Sequence, residues 1–179
     1  MILILGNPGA GKTTQTQMLA KYLSCSWFSM GELIRKGATG QARRDMLAGK
    51  IISDDVTLNL VDKTLKDLDL KSKECVFEGN PRSVTQAEWW LDQAVAGRFK
   101  LTGVIHLVAD PAIAEKRMLK RGRLDDHDDD VIEKRYAEYR RSITPTLNYL
   151  KEHDVPVYEI NGNGTIEEIA NQIHKVLGV

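Results

Sequence analysis

The sequence predicts a doubly wound α/β fold, a five-stranded parallel sheet between two layers of helices, and three observations lead there. Short apolar runs alternate with longer amphipathic stretches in βα order. The first apolar run leads into a glycine-rich turn that opens a helix. A length of 179 residues suffices for one compact domain with a sizeable core and small excursions, and falls short of a second full domain.

Ile2–Leu5 is the first strand, in an apolar start that is too short for a signal peptide. Gly11–Leu23 has helical apolar spacing, and Trp27–Ser29 reads as the second strand. Gly31–Lys50 breaks the alternation and reads as one or two short helices inserted over a binding face. Ser53–Leu68 follows as a helix, with Ser53 in the N-cap position and Asp54 and Asp55 at the positive end of its dipole. Cys75–Phe77 and Val104–Val108 are the third and fourth strands, separated by a helix over Ser83–Val95. Pro111–Lys120 is helical, the charged stretch Gly122–Asp130 is a second insert, and Val131–Glu152 is a long helix. Val157–Ile160 and Ile166–Leu177 supply the last strand and helix.

Lys plus Arg equal Asp plus Glu at 25 each, so the overall field favours neither a nucleic acid nor a membrane surface. Phosphate binding, if present, must be local. Cys25 and Cys75 are too few for a disulfide framework or a four-cysteine zinc site, which predicts reduced thiols, no structural zinc and a cytoplasmic location. No apolar run approaches the roughly 18 residues of a membrane span. The acidic run Asp125–Asp130 lacks the sixth-position Gly and closing Glu of a calcium loop.

The strongest chemical signal is Gly6-Asn7-Pro8-Gly9-Ala10-Gly11-Lys12-Thr13, a P-loop pattern placed after a strand and at the start of a helix. Its glycines let successive N–H groups turn toward phosphate oxygens, and the helix adds its N-terminal partial charge. Gly9, Ala10, Gly11, Lys12, Thr13 and Thr14 are therefore the residues predicted to bind the phosphates of a nucleoside triphosphate. Lys12 would reach the β- and γ-phosphates, and the hydroxyl of Thr13 or Thr14 would help hold Mg²⁺. The motif alone does not choose among kinase, GTPase, motor and sensor.

Further blocks do choose. Gly6–Gln15, Phe28-Ser29-Met30-Gly31-Glu32-Leu33-Ile34-Arg35, Gly49-Lys50-Ile51-Ile52-Ser53-Asp54-Asp55-Val56, Glu78-Gly79-Asn80-Pro81-Arg82 with Gln86, and Arg117–Asp126 resemble successive blocks of the adenylate kinase family, and the resemblance closes with Arg135, Tyr139 and Thr144-Pro145-Thr146. It implies a P-loop three-layer α/β/α kinase domain with core 1–29, 60–121 and 136–179, a helical NMP-binding insert over 30–59, and a short lid over 122–135. The implied reaction is reversible, Mg²⁺-dependent transfer from ATP to AMP giving two ADP, by a protein expected to be monomeric.

By the same resemblance Arg35 and Arg82 grip the AMP phosphate, for which paired guanidinium donors are suited. Gly79 lies in the same block, and Gln86 reads the adenine edge unless it is merely a helix-surface residue. Met30 either lines the base pocket or packs in the core. Arg117 and Arg121, four residues apart on a helix, are assigned to ATP, with a solvated basic face as the alternative. Lys12, Arg82, Arg123 and Arg135 are the implied catalytic group, spreading positive charge over a loose transition state, while Asp125 and Asp126 hold lid arginines. Thr13, directly or through water, and Glu78, through water, are the candidate Mg²⁺ ligands.

Three positions depart from the family pattern. Thr13 stands where Gly usually follows the lysine, Glu78 where Asp is usual, and Asn80 where Phe is usual, so a longer carboxylate and a polar pocket wall are expected. The short lid also carries one extra residue between Asp126 and Arg135. A pyrimidine nucleoside monophosphate kinase acting on UMP or CMP is the alternative enzyme, with Gln86 against it. A catalytically weak nucleotide sensor is the other alternative, with the full set of Lys12, Arg35, Arg82, Arg123 and Arg135 against it.

Overall fold

A computed structural model describes residues 1–37, 39–48, 50, 52–122 and 129–179. The chain runs β1 (Ile2–Gly6), α1 (Lys12–Tyr22), β2 (Ser26–Ser29), α2 (Met30–Gly37), α3 (Gly40–Leu47), α4 (Asp54–Leu65), β3 (Cys75–Glu78), α5 (Val84–Val95), β4 (Gly103–Val108), α6 (Pro111–Arg121), α7 (Asp129–Glu152), β5 (Val157–Asn161) and α8 (Ile166–Leu177). All pairings are parallel and the strand order is β2-β3-β1-β4-β5, the predicted five-stranded sheet. With β1 between β3 and β4, the chain first builds one side of the sheet and then crosses to the other. Ligands of open α/β sheets bind at such a switch point, beyond the carboxyl ends of the strands.

The central strands are buried on both faces, as a parallel sheet between helices requires. Leu3, Leu5, Cys75 and Phe77 point to one face, where they meet Met30 of α2, Val61 and Leu65 of α4, Trp90 of α5 and Leu150 of α7. Ile2, Ile4, Val76, Ile105 and Leu107 point to the other, against Leu19 of α1, Ala114 of α6 and Ile169 and Ile173 of α8. The period-two alternation thus divides one sheet between two cores. On the first face Trp90 meets Phe77 edge-on at 5.4 Å and Phe99 at 5.4 Å.

Local chemistry explains the helix ends. Ser83 caps α5 by accepting from the Gln86 N–H at 3.1 Å, and Thr165 and Glu168 form a reciprocal capping box on α8. Ser53 holds the N-cap position of α4 but its hydroxyl makes no capping bond. That helix ends at Leu65, three residues before the sequence suggests, where Asp69 accepts from the Ser72 backbone and hydroxyl in a local turn that competes with helix. The first insert resolves into the two short helices α2 and α3, and the long helix starts at Asp129, two residues early. Among the described residues no helix is long and apolar enough to cross a membrane.

Candidate active site

The loop between β1 and α1 is shaped by what surrounds it. At Gly9, φ is 77° and a Cβ would lie 2.3 Å from the carbonyl oxygen of Ala114, so a side chain there would enter the backbone of α6. Gly11 has φ 94° with open space around it, so it meets a conformational requirement of the helix start and no steric one. Asn7 fastens the loop to the end of β4: its Nδ2 donates to the Ala109 carbonyl at 2.9 Å and its Oδ1 accepts from the Ala109 N–H at 3.0 Å. From α7, the Tyr136 hydroxyl donates to the Pro8 carbonyl at 3.0 Å.

Lys12 begins α1, and its Nζ donates to the carbonyls of Gly6 and Asn7, each at 2.9 Å. Burial pulls its pKa down to about 7; Glu78 opposes the shift, while the charges of Arg82, Arg135 and Arg121 add to it. Three arginine charges and one carboxylate thus act on this buried lysine, and an anion bound beside it would restore its charge. The Thr13 hydroxyl donates to Glu78 Oε1 at 2.9 Å, and the Ser29 hydroxyl donates to the same oxygen. The other oxygen, Oε2, is buried without a hydrogen-bond partner among the described residues. An orphaned carboxylate oxygen beside a threonine hydroxyl is a hard oxygen donor set, and it fits Mg²⁺.

Beyond β3 the chain turns through Gly79 and the cis Asn80–Pro81 peptide into Arg82. Arg82 Nε donates to the Gly79 carbonyl at 2.8 Å, which holds the guanidinium under the end of the strand. Burial, followed by the charge of Arg135, lowers its pKa; Glu78 opposes and Arg35 adds a smaller push. Arg35 curls back along α2, where a Cβ at Gly31 would be 3.3 Å from its Nη1. Two guanidiniums close enough to feel each other line the same cleft, and paired donors of this kind suit an anion.

Behind this site lies a side-chain network. Gln86 Oε1 accepts from Asn80 Nδ2 and from the Arg82 N–H, both at 2.7 Å, and Gln86 Nε2 donates to Asp54 Oδ1 at 2.6 Å. Asn80 Oδ1 accepts from the Trp90 indole N–H at 2.6 Å, and Ser83 donates to Asp54 at 3.0 Å. Asn80 borders the cleft, as the polar wall expected from the sequence requires, but it is fully buried and both ends of its amide are paired inside the protein. Gln86 is buried in the first turn of α5 and is no surface glutamine. Met30 serves both of the ends left open for it, packing in the core beside Phe77 and lining the cleft.

On the opposite wall Arg117 donates from Nη1 to the Gly162 carbonyl at 2.7 Å and from Nη2 to the Gly164 carbonyl at 3.2 Å, joining α6 to the loop after β5 beside the P-loop. Arg121 and Arg135 line the same cleft. Tyr139 also lines it, its hydroxyl 2.7 Å from His106 Nε2, while His106 Nδ1 faces Glu159 at 3.3 Å. Burial lowers the His106 pKa against the pull of Glu159, so the ring is neutral, with Nδ1–H toward the carboxylate and Nε2 accepting from the tyrosine. The same burial raises Tyr139 to about 12, and its hydroxyl keeps its proton.

One cleft of about 480 Å³ thus brings together Gly9, Ala10, Gly11, Lys12, Thr13, Thr14, Met30, Arg35, Glu78, Gly79, Arg82, Gln86, Arg117, Arg121 and Arg135. Arg123, Asp125 and Asp126 lie outside the described residues. Sequence reasoning assigned no role to Ser29, Trp90 or Tyr136, and gave Asp54 only a place at the start of a helix. Nothing in their spacing marks them, because each acts through a partner distant in the chain. Asn7 was visible as a motif position, but its clamp on Ala109 was not.

The adenylate kinase family profile matches residues 4–155. Full-length relatives agree. The chain is 33% identical to an adenylate kinase of Flavobacterium psychrophilum, with 98% of this chain and 97% of the relative covered. It is 36% identical to one of Flavobacterium johnsoniae, again with 98% and 97% covered. An adenylate kinase of Parasynechococcus marenigrum is also 36% identical, over 98% of this chain and 97% of its own length.

Proposed function

The chain belongs to the adenylate kinase family, and we propose that it catalyses reversible transfer of the γ-phosphoryl group of Mg²⁺·ATP to AMP, giving two ADP. The observation that carries this reading is the pairing of two cationic sites in one cleft. Lys12 lies under the P-loop, Arg82 and Arg35 lie beyond β3, and Arg82 is close enough to Lys12 to depress its pKa. A phosphate on each site would be held for in-line transfer, and positioning plus electrostatics suffices for this chemistry without a protein nucleophile.

Each residue then has a task. The P-loop amides and Lys12 bind the donor phosphates, with Arg117 beside them. Arg35 and Arg82 bind the acceptor phosphate, and Gln86, with Met30, meets the base. Arg121, Arg123 and Arg135 neutralise charge on the transferring group. Mg²⁺, held by Thr13 and through water by Glu78, would supply charge neutralisation between the phosphates. The insert over 30–59 and the lid over 122–135 close on the substrates and exclude water. We place the protein in the cytoplasm as a monomer whose partners are nucleotides; two free cysteines and a net charge of zero support this, and gel filtration tests the monomer.

The deciding experiment offers Mg²⁺·ATP with AMP, CMP, UMP or GMP separately and measures the diphosphate formed. ADP should form fastest. UDP or CDP forming faster would replace this reading with a pyrimidine nucleotide kinase, and nucleotide binding without any product would replace it with a sensor.

A further inference from the structure

Behind the acceptor site, two amides are held by groups whose hydrogen-bonding roles are fixed. An indole N–H only donates, so the atom 2.6 Å from Trp90 Nε1 is the oxygen of Asn80. The amide nitrogen of Asn80 must then face Gln86, where it donates to Oε1 at 2.7 Å. A second obligatory donor, the backbone N–H of Arg82, meets the same oxygen at 2.7 Å. On its other side, Gln86 Nε2 donates to the Asp54 carboxylate at 2.6 Å. The orientation of Gln86 is therefore set from three directions, and both lone pairs of its carbonyl are occupied. What remains for a ligand is one N–H.

We infer that Asn80, itself held by Trp90, is a specificity-determining positioning residue: it locks Gln86 so that the acceptor base meets a single donor. Gln86 therefore reads a ring nitrogen of the purine and leaves the 6-amino group unread. This rests on the reading of Gln86 as the base contact. Asn80 borders the cleft, but neither it nor Trp90 has exposed surface and both ends of the Asn80 amide are already paired, so both act through Gln86. Phenylalanine, the residue usual in the family at this position, could not occupy that carbonyl. Releasing it would give the site an acceptor for an amino group and change which purines it distinguishes.

The test measures kcat/KM for AMP and for purine riboside 5′-monophosphate, which keeps the ring nitrogens and lacks the 6-amino group, with Mg²⁺·ATP as donor. The wild-type enzyme should use the two within about threefold of each other. In Asn80→Ala the preference for AMP should rise about fivefold, the worth of roughly one hydrogen bond. Because the ratio is taken within one preparation, it does not depend on the fraction folded. Trp90→Phe, which removes the indole donor and lets Asn80 turn, should shift the ratio in the same direction if Asn80→Ala folds poorly. A wild-type preference for AMP of about tenfold or more, or a ratio that stays within about twofold in both variants, overturns the inference while leaving AMP as the acceptor. Failure of the wild type to phosphorylate AMP overturns the functional reading itself, and this inference with it.

Discussion

The donor and acceptor sides of the cleft are built from different materials. The donor side is mainly backbone: eight consecutive residues from Gly6 to Thr13, pinned where Gly9 meets Ala114 and Asn7 meets Ala109. The acceptor side is mainly side chain: Arg35, Asp54, Asn80, Arg82, Gln86 and Trp90 come from α2, α4, the turn after β3 and α5. A site made of backbone is constrained by where a Cβ can go. A site made of side chains is tuned by whichever residue holds each of them.

Removing either cation should produce the largest effect, and the two sides should then separate by substrate. Lys12→Ala and Arg82→Ala should each lower kcat by about 10²–10³-fold, the range for losing one preorganised transition-state partner. The donor variant should also weaken binding of Mg²⁺·ATP, and the acceptor variant should raise the KM for AMP. A near-wild-type rate in either would break the assignment of that side.

Backbone control predicts a contrast between two glycines. Gly9→Ala puts a methyl group 2.3 Å from a carbonyl oxygen at φ 77°, whereas Gly11→Ala meets no atom within 4 Å at φ 94°. Gly11→Ala should therefore lose about 1–2 kcal/mol of stability, the cost of a left-handed residue. Gly9→Ala should lose about 1–3 kcal/mol more through overpacking. Equal losses in urea titrations would mean that α6 yields to the new methyl group.

On the acceptor side, Asn80→Ala should cost about 1–3 kcal/mol, because the Trp90 N–H is left buried without an acceptor. Denaturant unfolding followed by tryptophan fluorescence reads this, and an unchanged midpoint would show that another acceptor replaces Asn80.

The most delicate effect is protonic. With its pKa near 7 in the unliganded protein, Lys12 is increasingly neutral above that pH, and donor phosphates should recharge it. Mg²⁺·ATP binding at pH 8 should therefore take up close to one proton, seen as a buffer-dependent calorimetric heat that Lys12→Met abolishes. Affinity should fall by up to about tenfold per pH unit above 7. The same shift has a stability sign. The folded-state pKa lies below the unfolded value of 10.5, so the penalty is fully present below about pH 7 and fades as pH rises from there toward 10.5. Proton uptake of zero would place Lys12 in a more solvated setting than its contacts with Gly6 and Asn7 imply.

The order and type of the strands and helices were legible because period-two and period-3.6 patterns are written in consecutive residues. Boundaries moved by one to three residues, the most at the end of α4, where Asp69 and Ser72 compete with the backbone. The P-loop was legible for the same reason, since its strand, glycines and helix are contiguous. Resemblance supplied the acceptor residues, and they do meet in the cleft with Lys12. It did not show how Asn80, a polar residue at a position usually apolar, is held, because the partners of a buried amide lie far away in the chain.

The sequence by itself determined the α/β alternation, the phosphate-binding loop and the set of cations, all properties of local spacing and residue type. Only the tertiary structure decided how those groups are held. It set Asn7 on Ala109, Ser29 and Thr13 on one oxygen of Glu78, Tyr139 on His106, and the Gln86 amide between Asn80 and Asp54. The reason is physical: a hydrogen bond needs a donor and an acceptor within about 3 Å, and which pairs meet that condition is fixed by strand order and helix packing, not by distance along the chain.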